Sequence, residues 1–149
     1  MLLEPEDDVR LAGERPDFDL LRASWVPGHT PGCTVWTTTV PDAGKTYSVA
    51  IFGCGGPNAG VKLVGNQRFP TLVDDTLASF RKLKMLKPDI YVSGHPQTLF
   101  AGKIDRMRAG ERPHPLLDPG SQAWAKMLDD AEVNFSKRVQ AERAQSASR

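Results

Sequence analysis

Two histidines in this chain of 149 residues sit where a backbone could aim a side chain. His29 lies in Trp25-Val26-Pro27-Gly28-His29-Thr30-Pro31-Gly32, and His95 in Ser93-Gly94-His95-Pro96. Proline fixes its own φ and pushes the preceding residue towards extended backbone. Glycine admits left-handed conformations that other residues avoid. Pro/Gly pairs on both sides of His29 therefore predict a loop that turns sharply yet holds one conformation. A neutral imidazole held this way suits a metal ligand or a catalytic base. As a ligand it also needs a partner on its second nitrogen to fix the ring. A tight turn with an exposed histidine fits the same residues, and two histidines alone do not separate these readings. The third histidine, His114, stands between Pro113 and Pro115 and reads as a plain loop residue. Cys33 and Cys54 could pair, remain free or act as ligands. Free cysteine is among the most buried residue types, and the expectation is of two buried thiols.

The elements that must position these groups follow from pattern. Residues 20–26 read as a strand running into the His29 loop. Residues 33–40 are rich in β-branched side chains, and residues 46–52 form a further strand after the turn composition Pro41-Asp42-Ala43-Gly44, so 33–52 is expected to be a hairpin. Residues 53–60, with four glycines and no hydroxyl side chain, predict an irregular loop, followed by an extended piece at 61–64. A helix is expected from Pro70, suited to a first helical position. Asp74 and Asp75 lie early and Arg81, Lys82, Lys84 and Lys87 late, matching the helix dipole. Val73, Leu77, Phe80 and Leu83 share one face. Pro88 ends this helix, and 89–93 form a short strand that delivers His95. A helix over 99–109 closes at Gly110. Asp118-Pro119 starts a last helix with Trp124, Leu128, Ala131, Phe135 and Val139 on one face. Residues 1–18, acidic and without periodicity, are expected to be a poorly ordered arm or the remnant of a preceding segment, with a short strand at 8–11.

Composition bounds the function class. Hydrophobic residues make up 40% and charged residues 25%, as in one globular domain. A formal net charge of +1 gives no electrostatic footprint for nucleic acid or a membrane surface. No apolar run reaches the roughly 20 residues of a spanning helix. The acidic first residues lack the basic and apolar regions of a signal peptide.

Pro27-Gly28-His29-Thr30-Pro31-Gly32-Cys33-Thr34 resembles the motif of metallo-β-lactamase-fold hydrolases. Its spacing to Val64-Gly65-Asn66-Gln67-Arg68-Phe69-Pro70 and to Asp89-Ile90-Tyr91-Val92-Ser93-Gly94-His95-Pro96 is similar to subclass B3 metallo-β-lactamases. The resemblance covers residues 19–149. It implies an α/β fold, the αββα sandwich, of which this chain is the C-terminal half: one sheet layer with flanking helices. It further implies two zinc ions, one bound by His29 and the other by His95, a β-lactam substrate, and a periplasmic or secreted location. In that family the remaining ligands come from an earlier His-Xaa-His-Xaa-Asp-His motif. No histidine precedes His29 here. Since catalytic zinc usually has three protein ligands, the chain alone is expected to bind zinc poorly and to be inactive. It would need a missing N-terminal half or self-association, and one face of its sheet would be bare. The substrate-loop candidates are Cys54 and Asn58, with Cys54 also weighed as a zinc ligand. Two other readings stand beside the lactamase: a lactonase, thioesterase or phosphoesterase of the same fold, and a truncated relic without activity.

Overall fold

The computed structural model describes residues 9–11, 21–94, 100 and 102–148, with only the backbone of 9–11. Five strands form one sheet in chain order: β1 (Val9–Leu11), β2 (Leu21–Trp25), β3 (Thr34–Asp42), β4 (Lys45–Phe52) and β5 (Ile90–Ser93). The first four run as an antiparallel meander. β5 pairs with β4 in parallel, Phe52 opposite Ser93. Parallel pairing requires a crossover, and helix α1 (Leu72–Met85) lies within it. A short helix α2 (Ile104–Arg108) and a long helix α3 (Gln122–Ala147) complete the chain.

The expected hairpin is β3–β4. Ala43 and Gly44 both take positive φ, 47° and 79°, as tight two-residue hairpin turns require. The short strand expected at 8–11 is present as β1 over 9–11, paired with β2 at the edge of the sheet. The remainder of the 1–18 arm lies outside the described residues. The extended piece expected at 61–64 forms no strand: the Val61 N–H donates to the Asn58 carbonyl and those of Leu63 and Val64 to the Glu142 carboxylate. α2 is shorter than the 99–109 expected; of that span only Leu99 and Ala101 lie outside the described residues. Asp118 caps the last helix from outside its first turn. Its carboxylate accepts from the N–H groups of Ala123 (3.0 Å) and Trp124 (2.9 Å), while a 3₁₀ turn over Pro119–Ser121 intervenes.

One face of the sheet carries the core. Val35, Ala50 and Phe52 pack against Leu72, Phe80 and Leu83 of α1 and Trp124, Leu128, Phe135 and Val139 of α3. Phe80, Leu83, Trp124, Leu128, Phe135 and Val139 fall on the apolar faces the periodicity predicts, whereas Leu72 lies outside the predicted set and the predicted Val73, Leu77 and Ala131 are only partly buried. On the other face Trp36 pairs with Ile51, and Val40 with Tyr47. Ile51 is 42% and Val40 41% exposed. At the end of the hairpin nearest the His29 loop, buried Val35, Ala50 and Phe52 thus alternate with the part-exposed Trp36 and the exposed Ile51, which leaves apolar side chains open on the second face of the sheet.

Asp89 ties β5 to β4. Ser48 donates to its Oδ2 through both N–H and hydroxyl, each at 2.8 Å, and the Asp89 N–H donates to the Ser48 carbonyl at 3.0 Å. The backbone bond from Ser48, then its hydroxyl, holds the Asp89 carboxyl below its ordinary range. A group depressed in the folded state contributes stability above its unfolded pKa of about 3.9, which is lost as pH falls through the folded value. Asp89→Asn should therefore flatten the acid limb. Melting temperatures of the two proteins should converge as pH drops below about 4, and parallel curves would show that this carboxylate is not linked to folding.

Candidate functional site

The His29 loop joins β2 to β3 at one rim of the sheet. Its ends are closed by the Val26 N–H donating to the Cys33 carbonyl at 2.8 Å. Inside, the Thr30 carbonyl accepts from Gly28 (3.2 Å) and Cys33 (3.3 Å), and Trp25 Nε1 donates to the Pro31 carbonyl (2.6 Å). α1 holds the loop from beneath. The buried Ser79 hydroxyl donates to the Pro27 carbonyl at 2.7 Å. Gly28 runs so close to α1 that a Cβ there would lie 3.1 Å from Thr76 Oγ1. A side chain at this position would force Thr76, whose hydroxyl donates to the Leu72 carbonyl at 2.7 Å, to give by a few tenths of an ångström.

The half-buried His29 ring is fixed by one bond. Nδ1 lies 2.9 Å from the Gly56 carbonyl. A carbonyl only accepts, so Nδ1 carries the proton, and the lone pair of the neutral ring is on Nε2. This is the arrangement a metal-ligating imidazole adopts, with a backbone carbonyl setting its tautomer. Equally, such a nitrogen can accept a proton.

The same rim collects other chain ends. β2 and β4 finish there, and β5 ends at Ser93 beside Phe52. His95, two residues on, lies outside the described residues. His114 Nδ1 accepts from the Leu116 N–H at 3.3 Å, as befits a loop residue.

The cysteines require a correction. Cys33 and Cys54 are not free thiols but a disulfide, with Cα atoms 6.0 Å apart. The hairpin register brings them together: Cys33 precedes β3 and Cys54 follows β4, and Trp36 opposes Ile51. A thiolate is the form that ligates metal, so the oxidised Cys54 offers none. Asn58 is exposed, and its carbonyl accepts from the Val61 N–H (3.3 Å) and from Arg138 Nη2 (3.0 Å). Its backbone therefore serves the loop's own structure. The residues that hold this loop, Arg138 and Glu142, were not legible as site residues; charged side chains on a long amphipathic helix look like a solvated face.

Among the described residues no three His, Cys, Asp or Glu side chains gather to hold a metal ion. One pre-oriented imidazole fits a single coordination position. It falls short of the three protein ligands of a catalytic zinc.

No family model matches the sequence. Solved structures do match. The native FEZ-1 metallo-β-lactamase from Legionella gormanii is similar at 28% identity and TM-score 0.80, over 92% of this chain and 50% of that one. BJP-1, a subclass B3 metallo-β-lactamase of Bradyrhizobium japonicum, is similar at 28% identity and TM-score 0.73, over 94% and 51%. A Cronobacter sakazakii metallo-β-lactamase with a HARLDQ motif shares the fold at 24% identity and TM-score 0.78, over 95% and 51%. The chain spans about half the length of the enzymes it matches.

Proposed function

Because the chain has the fold of the C-terminal half of a subclass B3 metallo-β-lactamase, we propose that it is one half of a zinc-dependent β-lactam hydrolase. In this reading His29 supplies one zinc ligand and His95 a ligand to a second zinc, and a preceding half supplies the others. The observation that supports it most is the His29 Nδ1 bond to the Gly56 carbonyl, which leaves Nε2 as the donor nitrogen. Zinc, when bound, would bring Lewis acidity and activation of water. This chain's own part is to hold the imidazole and to close one wall of the rim. A bare sheet face bearing Ile51 and Val40 is consistent with a second layer seated there in the complete enzyme.

The disulfide fits an oxidising compartment, which supports a periplasmic or secreted enzyme. None of the described helices is long and apolar enough to cross a membrane.

Reconstitution tests the proposal. Joined to a segment carrying His-Xaa-His-Xaa-Asp-His on a matching β-layer, the chain should hydrolyse a penicillin or carbapenem in a zinc-dependent manner. His29→Ala should lower turnover by more than the 10–100-fold that loss of an outer hydrogen-bond partner costs. Undiminished turnover by that variant would remove His29 from the metal site. The isolated chain should bind zinc weakly by calorimetry, and tight uptake of two ions would contradict the half-enzyme reading.

One observation favours a second substrate class. The loop over residues 53–60 has no Ser or Thr to hydrogen-bond a lactam's carboxylate. A panel of lactones, thioesters, phosphoesters and lactams on the reconstituted enzyme separates the two, and preference for a lactam dismisses the alternative.

A further inference from the structure

α3 reaches back across the molecule to the loop that fixes His29. Arg138 Nη1 donates to the Pro57 carbonyl at 2.8 Å, and Nη2 to those of Asn58 (3.0 Å) and Val61 (3.4 Å). One turn on, the Glu142 carboxylate accepts from the N–H groups of Leu63 (2.8 Å) and Val64 (2.9 Å) through the same oxygen. These five bonds fall on residues 57–64, and the first follows Gly56 directly. Pro57 is buried and Gly56 takes φ +92°, so the Gly56 carbonyl is set by its neighbours and not by a regular element. On the other side, the Cys33–Cys54 disulfide anchors the chain two residues before Gly56. Only Gly55 and Gly56 lie between the two anchors.

We propose that Arg138 is a positioning residue for His29: its guanidinium, forked over the Pro57, Asn58 and Val61 carbonyls, holds the Gly56 carbonyl where it locks the imidazole in the Nδ1–H tautomer. A planar fork with fixed donors suits this task, since it grips several carbonyls in one geometry. Glu142 closes the far end of the same loop, so one helical turn of α3 clasps both. The use of that locked ring as a zinc ligand rests on the function proposed above; the locking itself does not.

The test reads the ring without metal. Long-range proton–nitrogen correlation spectra of ¹⁵N-histidine protein, recorded in metal-free alkaline buffer, report which nitrogen bears the proton, and His29→Gln assigns the signal. In the native protein Nδ1–H should dominate. Arg138→Met, which keeps the aliphatic stem and removes the fork, should make Nδ1–H the minor species while near-ultraviolet dichroism stays native. Arg138→Lys, which keeps the charge without the fork, should fall between. It also carries the test if the methionine variant does not fold. A His29 ring that stays fully Nδ1–H in a folded Arg138 variant overturns the proposal. A ring that changes as expected, in a reconstituted enzyme indifferent to zinc, would leave this assignment standing and remove the hydrolase reading instead.

Discussion

Trp124→Ala should unfold the protein at much lower denaturant, with a loss of about 3–5 kcal/mol. Trp124 is 1% exposed and is where the sheet meets both long helices. Its ring stands edge-on to Phe52 with centroids 5.4 Å apart and lies as close to Tyr91, and its Nε1 donates to the Leu83 carbonyl of α1 at 3.2 Å. Alanine would leave a cavity bounded by three elements that cannot all collapse into it. Set against a typical stability of about 5–15 kcal/mol, the loss is about a fifth of the total or more. Trp124→Phe keeps much of the ring and should cost less than the alanine change. Urea midpoints decide: if the alanine and phenylalanine variants unfold together at the native midpoint, the core is not centred where this packing puts it.

Reduction of the Cys33–Cys54 disulfide should be the next largest effect. The bridge spans 21 residues in sequence, and closing a loop of that size stabilises by about 3 kcal/mol, chiefly by restricting the unfolded chain. It closes across the mouth of the β3–β4 hairpin, so the native contacts around it should survive and the loss should appear in the unfolding midpoint. The double variant Cys33→Ser, Cys54→Ser should melt at the temperature of the reduced native protein and ignore added reductant. A native protein equally indifferent to reductant would mean that the bridge contributes nothing.

The sequence made local geometry legible and hid what depends on distant pairs. The hairpin could be read from its β-branched run and Pro41-Asp42-Ala43-Gly44, because such signals act within a few residues. The apolar faces of α1 and α3 could be read because Phe80, Leu83, Trp124 and Phe135 recur at helical spacing. The His29 loop showed itself through Pro27, Gly28, Pro31 and Gly32, whose backbone limits need no tertiary partner. Cys33 and Cys54 gave no sign of pairing, since their meeting follows from the β3–β4 register and two cysteines are equally compatible with free thiols. Arg138 and Glu142 were silent for the same reason: their partners are backbone groups about 80 residues away, and a backbone group carries no side-chain signature. Asp118 was read correctly as a helix start, but the 3₁₀ turn between it and α3 depends on Ser121 donating to the Pro88 carbonyl at 2.8 Å, again a distant match.

The β3–β4 turn has a practical use. Residues 40–46 are all exposed, and β3 carries them away from the His29 loop over nine residues, roughly 27 Å at strand rise. A fluorophore or affinity handle grafted at that tip would ride rigidly on the sheet while standing clear of the imidazole. It would allow capture or distance measurement during assembly with another polypeptide, with the chemistry at the opposite end left untouched.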